Sequence, residues 1–411
     1  MRISNSGEMR FCRWADYSEP APTADIAKTT PLQYFQQGMA PLRHAFATGS
    51  RPDACKGCFN ADRYNKVSGR QRQLLKTGIT LNEFARTARS SPWFGEFVRA
   101  ETDGVVDTAP QDWQIDLGNY CNSNCIYCSP SESSRLAAEF QRIGFIDRLP
   151  PANWSDDTDL LSRVQIAMIT SQPRFVHFVG GETVITPAFK KILQTLLSAG
   201  NRDTAISFTT NLTVWPEDIV AILDQFREVN VGMSVETFDA VNDYVRWPSK
   251  IDTIKSNLDR WVEHGHRQGW LMTLRITPTC LTVHGLVDVY QYAVDNNLNV
   301  ESVNFLERPD FLRPTVLPGA IRSDIIRKLS VWVEQQGIDE DLIVNVRNPK
   351  FQSQAAVQDA KSYVRYLSNA KSETELTENL VKYLKQLEQS RNNCILHYLP
   401  QYEEIFRTAG Y

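Results

Sequence analysis

Three cysteines stand within eight residues of one another, directly after a segment in which apolar and polar residues alternate as in a β-strand. The segment is 113–117, and the cysteines are Cys121, Cys125 and Cys128. Thiolates this close together at the end of a strand can converge on one metal centre. A closed iron–sulfur cluster normally takes four cysteines, so three leave one iron open for another ligand, as a catalytic metal site does. A zinc site and three unrelated buried thiols are the alternatives.

From residue 113 onward, strand-like and helix-like segments alternate. The strand-like runs are 113–117, 174–179, 205–209, 229–235, 271–277 and 300–306. The helical patterns between them are 189–197, 216–226 and 254–262, the last closed by Gly265. Such alternation is typical of parallel strands joined by right-handed crossovers. Six units predict an α/β fold, a partial (β/α)6 TIM-like barrel with its chemistry at the carboxyl ends of the strands.

Composition excludes several classes of protein. The chain has 411 residues, of which 42% are hydrophobic and 22% charged, enough for one large domain and one or two small ones. A net charge of −4 gives no reason to expect a nucleic-acid partner. The first residues contain no apolar signal segment, and no apolar run reaches the roughly 18 residues of a membrane span. Eight cysteines, six of them in two tight groups, predict metal ligands in a reducing, cytoplasmic compartment without a membrane partner.

Pattern and composition divide the chain into four predicted parts: an N-terminal cysteine module, a linker with a basic start, the barrel and a helical C-terminal extension. Their bounds are 1–70, 71–108, 109–310 and 311–411. In the extension, leucines recur at helical spacing from Leu376 to Leu387, which predicts a helix packed on the core.

The informative motifs after the cysteines all lie where a predicted strand ends or shortly beyond. They are Gly180-Gly181-Glu182, Thr209-Thr210-Asn211-Leu212-Thr213, Ser234-Val235-Glu236 and Tyr244-Val245-Arg246. Adjacent glycines let a ligand approach the backbone, a carboxylate accepts hydrogen bonds from an ammonium group, and an arginine binds a carboxylate through two parallel bonds. The motifs therefore predict one ligand site at the strand ends.

The spacing C-x3-C-x2-C, with Tyr127 directly before the last cysteine, resembles the radical S-adenosylmethionine (SAM) superfamily. The order of the other motifs extends the resemblance over residues from about 113 to 310. It implies a [4Fe-4S] cluster on Cys121, Cys125 and Cys128, whose open iron chelates the amino and carboxylate groups of SAM. Reductive cleavage of SAM to a 5′-deoxyadenosyl radical, and hydrogen abstraction from a substrate, are the reaction that the resemblance implies.

The first two strand-end motifs resemble the family's cofactor-binding loops. Gly180, Gly181 and Glu182 stand where the family has Gly-Gly-Glu-Pro and would bind the SAM amino group, with a threonine in place of the proline. Asn211 lies in a turn that resembles the family's Thr-Asn-Gly-Thr, with Leu212 in the place of the glycine.

Further residues complete the cofactor site that the resemblance implies. Ser234 would hydrogen-bond the SAM ribose, and Arg246 would bind the SAM carboxylate; the alternative for Arg246 is a surface ion pair. Tyr127 and Glu236 also belong to this expected cofactor-binding set. Arg275 in the fifth predicted strand points either into the barrel or outward.

Cys12, Cys55 and Cys58 form a second group near the N-terminus. The stretch 6–8 predicts a hairpin turn that places Cys12 on the second strand, and a Gly-x-x-Pro-x-x-Cys-x-x-Cys segment begins at Gly49. Together they resemble a twitch or SPASM auxiliary module, here before the barrel, which implies a second iron–sulfur cluster. A zinc site is the alternative, and no fourth ligand is evident. The remaining cysteines, expected to be packed thiols, are Cys280 and Cys394.

Relatives with such a module often modify peptide or protein side chains, so a peptide is the first expected substrate. The resemblance also implies an electron donor such as flavodoxin or ferredoxin. Radical modification of a nucleotide, sugar or other small metabolite is the second interpretation. A non-catalytic iron–sulfur or zinc protein that binds SAM is the third. No sequence feature identifies a catalytic acid or base.

Overall fold

The computed structural model describes residues 1–63, 68–71, 90, 94–302, 306, 308–337 and 352–411. They form two compact units, each built from separate stretches of the chain. The first unit is Met1–Gly118, Ala152–His177 and Lys191–Thr204, and the second is Asn119–Pro151, Phe178–Lys190 and Ala205–Tyr411. Much of the predicted linker and residues 303–305 of the last predicted strand lie outside the described residues.

The first unit opens with a β-hairpin. Strand β1 (Arg2–Ile3) pairs antiparallel with β2 (Glu8–Arg10), and β2 pairs antiparallel with β3 (Thr23–Asp25). The turn uses Gly7, because its φ of +81° lies in the left-handed region. Strand β1 also pairs in parallel with β4 (Asp112–Asp116). The helices of this unit include Pro31–Gln33, the π-helix Tyr34–Gly38, Ala40–Ala47, Lys56–Arg63, Phe94–Thr102 and Thr158–Ser171.

The second unit contains the parallel strands that the alternating pattern predicts. Strand β6 (Ala205–Thr210) pairs with β7 (Val229–Ser234), β7 with β8 (Leu271–Arg275), and β8 with β9 (Asn299–Glu301), all in parallel. Strand β5 (Phe175–Val179) and the helix Pro187–Ser198 have residues in both units. The helices that alternate with the later strands are Glu217–Leu223, Val241–Val245, Ile251–Gln268 and Leu286–Asp295.

The rest of the second unit is mainly helical, and the mixed α/β fold with a helical C-terminal region is as predicted. Ser134–Arg142 follows the cysteine loop, and the C-terminal helices are Gly319–Gln335, Gln352–Asn369, Thr377–Arg391 and Glu403–Thr408. Leu380, Leu384 and Leu387 are buried in the helix Thr377–Arg391, as predicted, whereas Leu376 is half-buried and lies just before that helix. Within the described part of the chain, no helix has both the length and the apolar character needed to cross a membrane.

One face of strands β6 to β8 is buried against helices. The ring of Phe208 lies 5.4 Å from that of Phe189 and 5.9 Å from that of Trp261, measured between ring centroids. The almost fully buried strand residues on this face are Ile206, Phe208, Val231, Met233, Met272 and Leu274. Because successive strand residues point to opposite faces, the residues between them form the other, more polar face.

The helix predicted to close at Gly265 is longer than expected. It runs from Ile251 to Gln268 and ends with Gly269 in the left-handed region, at a φ of +72°. Gly265 lies inside the helix, where a Cβ would stand 2.4 Å from Sδ of Met272. The glycine therefore allows the helix to lie close against β8. The predicted helix end was wrong, because a glycine can mark either a helix end or a close packing contact, and the sequence alone does not distinguish the two.

Candidate active site

The cysteine loop is held by backbone hydrogen bonds to the chain around Arg246. The N–H of Asn124 donates to the carbonyl of Trp247 at 2.6 Å, and the N–H of Ile126 donates to the carbonyl of Val245 at 2.9 Å. These two bonds bracket Cys125. The loop therefore presents its thiols from a backbone whose position is set by another segment of the second unit.

In this loop, Cys125 is buried, and Cys121 and Cys128 are half-buried. Burial raises the pKa of Cys121 to about 12 and also raises the pKa values of Cys125 and Cys128. A metal that binds here must displace their protons. Among the residues with described positions, no three His, Cys, Asp or Glu side chains converge closely enough to hold a single metal ion. The three thiols are carried by one short loop, and thiolates are the protein ligands of iron–sulfur clusters.

Glu182 carries an unused hydrogen-bond acceptor. Its side chain is 1% exposed, and Oε2 accepts a hydrogen bond from the N–H of Asn211 at 2.5 Å. Oε1 is buried and has no donor in hydrogen-bonding geometry among the described residues, although the Thr210 side chain and the Val184 N–H lie close enough to the carboxylate to oppose the effect of burial on its pKa. Burial raises the pKa of Glu182 to about 7. Because a buried carboxylate oxygen without a donor is costly, this atom fits the N–H donors of an amino group that the polypeptide itself does not supply.

The glycines before Glu182 bring this turn into contact with the cysteine loop. Gly180 and Gly181 have φ values of +99° and +50°, both in the left-handed region. A Cβ on Gly181 would lie 2.2 Å from the carbonyl oxygen of Tyr120, and the N–H of Glu182 donates to that same carbonyl at 2.8 Å. The double glycine thus places the carboxylate beside the segment that carries the thiols.

Asn211 links the Glu182 turn to the cysteine loop a second time. Besides its bond to Glu182, its Nδ2 donates to Oδ1 of Asn122 at 2.8 Å and to Oγ of Ser123 at 3.2 Å. Leu212 follows with a φ of +64°. A left-handed leucine is uncommon, which explains why the related family motif has glycine at this position. The sequence-predicted turn is therefore formed here with a buried leucine.

Tyr127, Glu236 and Arg246 form one buried network. The hydroxyl of Tyr127 donates to Oε1 of Glu236 at 2.6 Å. Nη1 of Arg246 donates to the Tyr127 hydroxyl at 2.6 Å and to Oε1 of Glu236 at 3.0 Å. Burial raises the pKa of Tyr127 well above its usual value, so the phenol keeps the proton that it donates. Arg246 is only 4% exposed, so the alternative of a surface ion pair does not apply.

The polar face of the strands carries Ser234 and Arg275. The two residues are partners in the register of β7 and β8, so Arg275 points to the same face as the residue predicted to bind the SAM ribose. A Cβ on Gly232 would lie 2.5 Å from Nε of Arg275. Nη2 of Arg275 pairs with Oε2 of Glu301 at 3.0 Å. Gly232 therefore leaves room for the Arg275 side chain to lie across this face of the sheet.

Two contributors to the site were missed from the sequence. The N–H of Thr277 donates to Oε2 of Glu236 at 2.6 Å, and Nδ2 of Asn257 donates to the carbonyl of Leu212 at 2.8 Å. Thr277 is the last residue of a predicted strand, and the same position at a strand end identified the other motifs, so this residue could have been found from the sequence. Asn257 lies within a helix and gave no signal.

In the first unit, Cys12, Cys55 and Cys58 lie near one another. The Cys55 pKa is raised to about 11 by burial and by the nearby thiols of Cys12 and Cys58. The loop after Cys12 is tied to the Cys55 turn by a bond from the N–H of Asp16 to the carbonyl of Ala54 at 2.8 Å. This hydrogen bond joins the segment that follows Cys12 to the turn that carries Cys55, two of the cysteines grouped in the sequence analysis.

The prediction that places Cys12 on the second strand of the hairpin is wrong, because strand β2 ends at Arg10. The Cys12 N–H donates to the Tyr17 hydroxyl at 3.1 Å, and that hydroxyl donates back to the Cys12 carbonyl at 2.6 Å. The Tyr17 hydroxyl thus makes the two backbone hydrogen bonds that a neighbouring strand would otherwise make with Cys12. In the second unit, Cys280 is fully buried, and Sγ of Cys394 lies 3.3 Å from the Tyr411 hydroxyl.

Residues 115–285, less than half of the chain, match the family model described as "Radical SAM superfamily". No curated protein matches the sequence at a significant level. Among solved structures, the chain is similar to Streptococcus suis SuiB bound to S-adenosylmethionine, at 14% identity over 60% of this chain and 49% of that one, with a TM-score of 0.37. It is also similar to Streptococcus suis SuiB bound to its precursor peptide SuiA, at 14% identity over 73% and 64% of the two chains, with a TM-score of 0.39.

A third similar structure is TYW1 with a lysine-pyruvate adduct, at 14% identity over 52% of this chain and 70% of that one, with a TM-score of 0.28. The chain spans 49% and 64% of the two SuiB chains. At these identities and TM-scores, the three similarities carry no argument about what this chain binds or transforms.

The parallel α/β fold and the cysteine loop agree with the family match, and together they support an iron–sulfur enzyme as the class of this protein. The family match itself covers residues 115–285, which are similar to the radical SAM superfamily. A radical SAM fold implies SAM and a [4Fe-4S] cluster, and the three thiols of the loop and the buried Oε1 of Glu182 fit that pair.

Proposed function

We propose that Cys121, Cys125 and Cys128 anchor a [4Fe-4S] cluster and that the neighbouring strand ends bind SAM for hydrogen abstraction from a substrate. The observation that carries the proposal is the buried Oε1 of Glu182, which lacks a donor among the described residues. It lies in a turn bonded to the cysteine loop, where an amino group bound next to the open iron would meet it. When bound, the cluster supplies one electron for reductive cleavage of SAM.

The residues of the chain have separate tasks in this proposal. Gly181 packs the Glu182 turn against the cysteine loop, and Gly180 allows close approach of the cofactor. Glu182 accepts hydrogen bonds from the cofactor's amino group, and Ser234 bonds its ribose. Asn211 holds the Glu182 carboxylate in place through its N–H.

The network of Tyr127, Glu236 and Arg246 forms a second part of the proposed site. Its arginine would offer its remaining donors to the SAM carboxylate, and its tyrosine fixes the backbone next to Cys128. Since burial excludes water from the network, its charge-assisted bonds are stronger than they would be at the surface.

The proposal is tested by anaerobic reconstitution of the full chain with iron and sulfide, followed by reduction in the presence of SAM. We expect about four irons per chain in the barrel cluster and production of 5′-deoxyadenosine detected by chromatography. A cluster that forms and binds SAM without cleaving it would instead support the interpretation as a non-catalytic SAM-binding protein.

Glu182→Gln is expected to weaken SAM binding about 10- to 100-fold, because a hydrogen bond to a charged group contributes roughly 1.5–3 kcal/mol. The carboxylate must be ionised for both of its oxygens to act as charged acceptors for the amino group. Because the pKa of Glu182 is raised to about 7, wild-type affinity should fall as the pH decreases below that value. Equilibrium titration with SAM between pH 6 and pH 8.5 measures both effects.

The Glu182→Gln variant should keep its iron content and lose this pH dependence. If its affinity still fell in parallel with that of the wild type below about pH 7, another group would be responsible for the titration. Unchanged affinity of the variant at pH 8.5 would remove Glu182 from the cofactor site.

We further propose that Cys12, Cys55 and Cys58 hold an auxiliary cluster of the twitch or SPASM type within a module spanning residues 1–70. Under this proposal, residues 71–108 form the linker, residues 109–310 the barrel and residues 311–411 the extension. A peptide or protein side chain is the first candidate substrate, and a cytoplasmic flavodoxin or ferredoxin is the electron donor. The structure of SuiB with its precursor peptide SuiA adds no weight, because its TM-score is 0.39.

Replacing Cys12, Cys55 and Cys58 together by alanine is expected to lower the iron content from about eight to about four per chain, the content of one four-iron cluster. SAM cleavage without substrate should survive, because the open iron belongs to the other cysteine group. The measurements are metal analysis of anaerobically purified protein and the 5′-deoxyadenosine assay. Zinc at this site would contradict the auxiliary cluster and leave a structural metal module.

A further inference from the structure

The C-terminal helix Thr377–Arg391 contacts the cysteine loop through two side chains. The hydroxyl of Tyr383 donates to the carbonyl of Ile126 at 2.6 Å. Nη2 of Arg391 donates to the carbonyl of Asn124 at 2.8 Å. These two carbonyls belong to the residues on either side of Cys125, so one helix holds the loop at both flanks of a proposed cluster ligand.

The same two loop residues are also bonded through their N–H groups. The N–H groups of Asn124 and Ile126 donate to the carbonyls of Trp247 and Val245. The backbone around Cys125 is therefore fixed between two segments: the chain beside Arg246 on its donor side and the C-terminal helix on its acceptor side. Removal of the helix bonds would leave two loop carbonyls without these donors.

The cation of Arg391 is compensated within the same network. Its Nη2 lies 2.7 Å from Oε2 of Glu139, and its Nε donates to Oε1 at 3.0 Å. Nδ2 of Asn124 donates to Oε2 of Glu139 at 2.8 Å. Arginine and glutamate side chains are both 3% exposed. Because the pair carries no net charge, its contribution to the loop is geometric: it places a rigid donor against the Asn124 carbonyl.

The direction of the Tyr383 hydroxyl is set by aromatic packing. The Tyr383 ring is stacked on Phe145 with a centroid distance of 5.6 Å and lies 5.1 Å from the ring of Phe311. Phe140 meets it edge-on at 6.3 Å. Because this packing already fixes the orientation of the ring, the Tyr383 hydroxyl can bond the loop without a further loss of side-chain entropy.

We propose that Tyr383 and Arg391 are positioning residues for the radical SAM cluster, and that the C-terminal helix is a structural part of the cluster site. This inference rests on the proposed function only in that the 121–128 loop holds a cluster. It assigns the extension a role that its leucine stripe did not indicate. A cluster ligand whose flanking carbonyls are fixed should hold its iron longer and with a narrower distribution of geometries.

Tyr383→Phe tests the hydroxyl alone, because the ring and its packing remain. We expect the reconstituted variant to lose iron to a chelator about two- to tenfold faster than the wild type, the range for one hydrogen bond. The electron paramagnetic resonance signal of its reduced cluster should broaden or shift. The matched control is Leu384→Ala on the same helix, where a fully buried side chain without a bond to the loop is truncated. That variant should lower the melting temperature and leave the resonance signal unchanged.

Arg391→Met alone would leave the buried Glu139 charge unpaired and could prevent folding. The double variant Glu139→Gln with Arg391→Met removes both charges, so the protein should fold while the Asn124 carbonyl loses its donor. Its cluster should also lose iron faster than that of the wild type.

Wild-type chelation rates and an unchanged resonance signal in both the Tyr383→Phe and the double variant would overturn the inference. Failure of the wild type itself to bind a cluster at Cys121, Cys125 and Cys128 would instead contradict the proposed function. The two failures are therefore distinguishable.

Discussion

Replacement of Cys121, Cys125 and Cys128 together by alanine is expected to remove about four irons per chain and all reductive cleavage of SAM, because thiolates are the protein anchors of such a cluster. The overall fold should persist, since the loop backbone is held by bonds to Val245 and Trp247 that do not involve the thiols. Iron and sulfide counts after anaerobic reconstitution, together with 5′-deoxyadenosine measured after reduction, check the result.

The matched control for this triple variant is Cys280→Ala. Cys280 is a fully buried cysteine of the same unit outside the loop, so its replacement should leave iron content and SAM cleavage as in the wild type. Production of 5′-deoxyadenosine by the triple variant would show that the central proposal is wrong.

Arg246→Met is expected to lower the free energy of unfolding by about 3–5 kcal/mol, because it leaves the carboxylate of Glu236 buried without its cation. Glu236 is 2% exposed and would keep only the bonds from Tyr127 and Thr277. Arg246→Lys retains the charge but loses the planar fork. We expect the lysine variant to keep most of the stability and to bind SAM about 10- to 100-fold more weakly, the range for a hydrogen bond to a charged group. Denaturant unfolding and equilibrium SAM titration measure the two effects.

The double variant Glu236→Gln with Arg246→Met separates burial of a lone charge from loss of packing. It should recover most of the stability lost in Arg246→Met, because no unpaired charge remains in the interior. If Arg246→Met lowered the free energy of unfolding by less than about 1 kcal/mol, the ion pair of Arg246 and Glu236 would contribute no more than a surface ion pair does. SAM affinity unchanged in Arg246→Lys would limit the arginine to a structural role.

The sequence predicted the class of fold and the group of residues at its centre because both depend on local signals. Alternation of strand and helix patterns indicates parallel strands, and the carboxyl ends of such strands lie at one edge of a sheet. Motifs at those ends, such as the one containing Glu182 and the one containing Asn211, could therefore be assigned to one site. Their hydrogen bond confirms that these two ends meet.

The details that the sequence left open depend on directions of side chains. The orientation of Arg275 had two possibilities, and the register of β7 and β8 places it on the face of Ser234. Leu212 stands where the related Thr-Asn-Gly-Thr turn has glycine, and this departure weakened the sequence match. In the structure, Leu212 nevertheless adopts a φ of +64°, and its carbonyl accepts a hydrogen bond from Asn257. A distant helix residue thus compensates for a local departure that spacing alone could not evaluate.

By itself, the sequence determined the α/β class, the cysteine loop and the strand-end motifs, because each is encoded within a few consecutive residues. Only the tertiary structure decided that Arg246 is buried with Glu236 and Tyr127, and that Tyr383 and Arg391 reach the loop around Cys125. These contacts join residues separated by 10 to 267 positions along the chain. They arise from the packing of whole elements, and no periodicity or spacing in a single segment records which distant side chain will meet which backbone group.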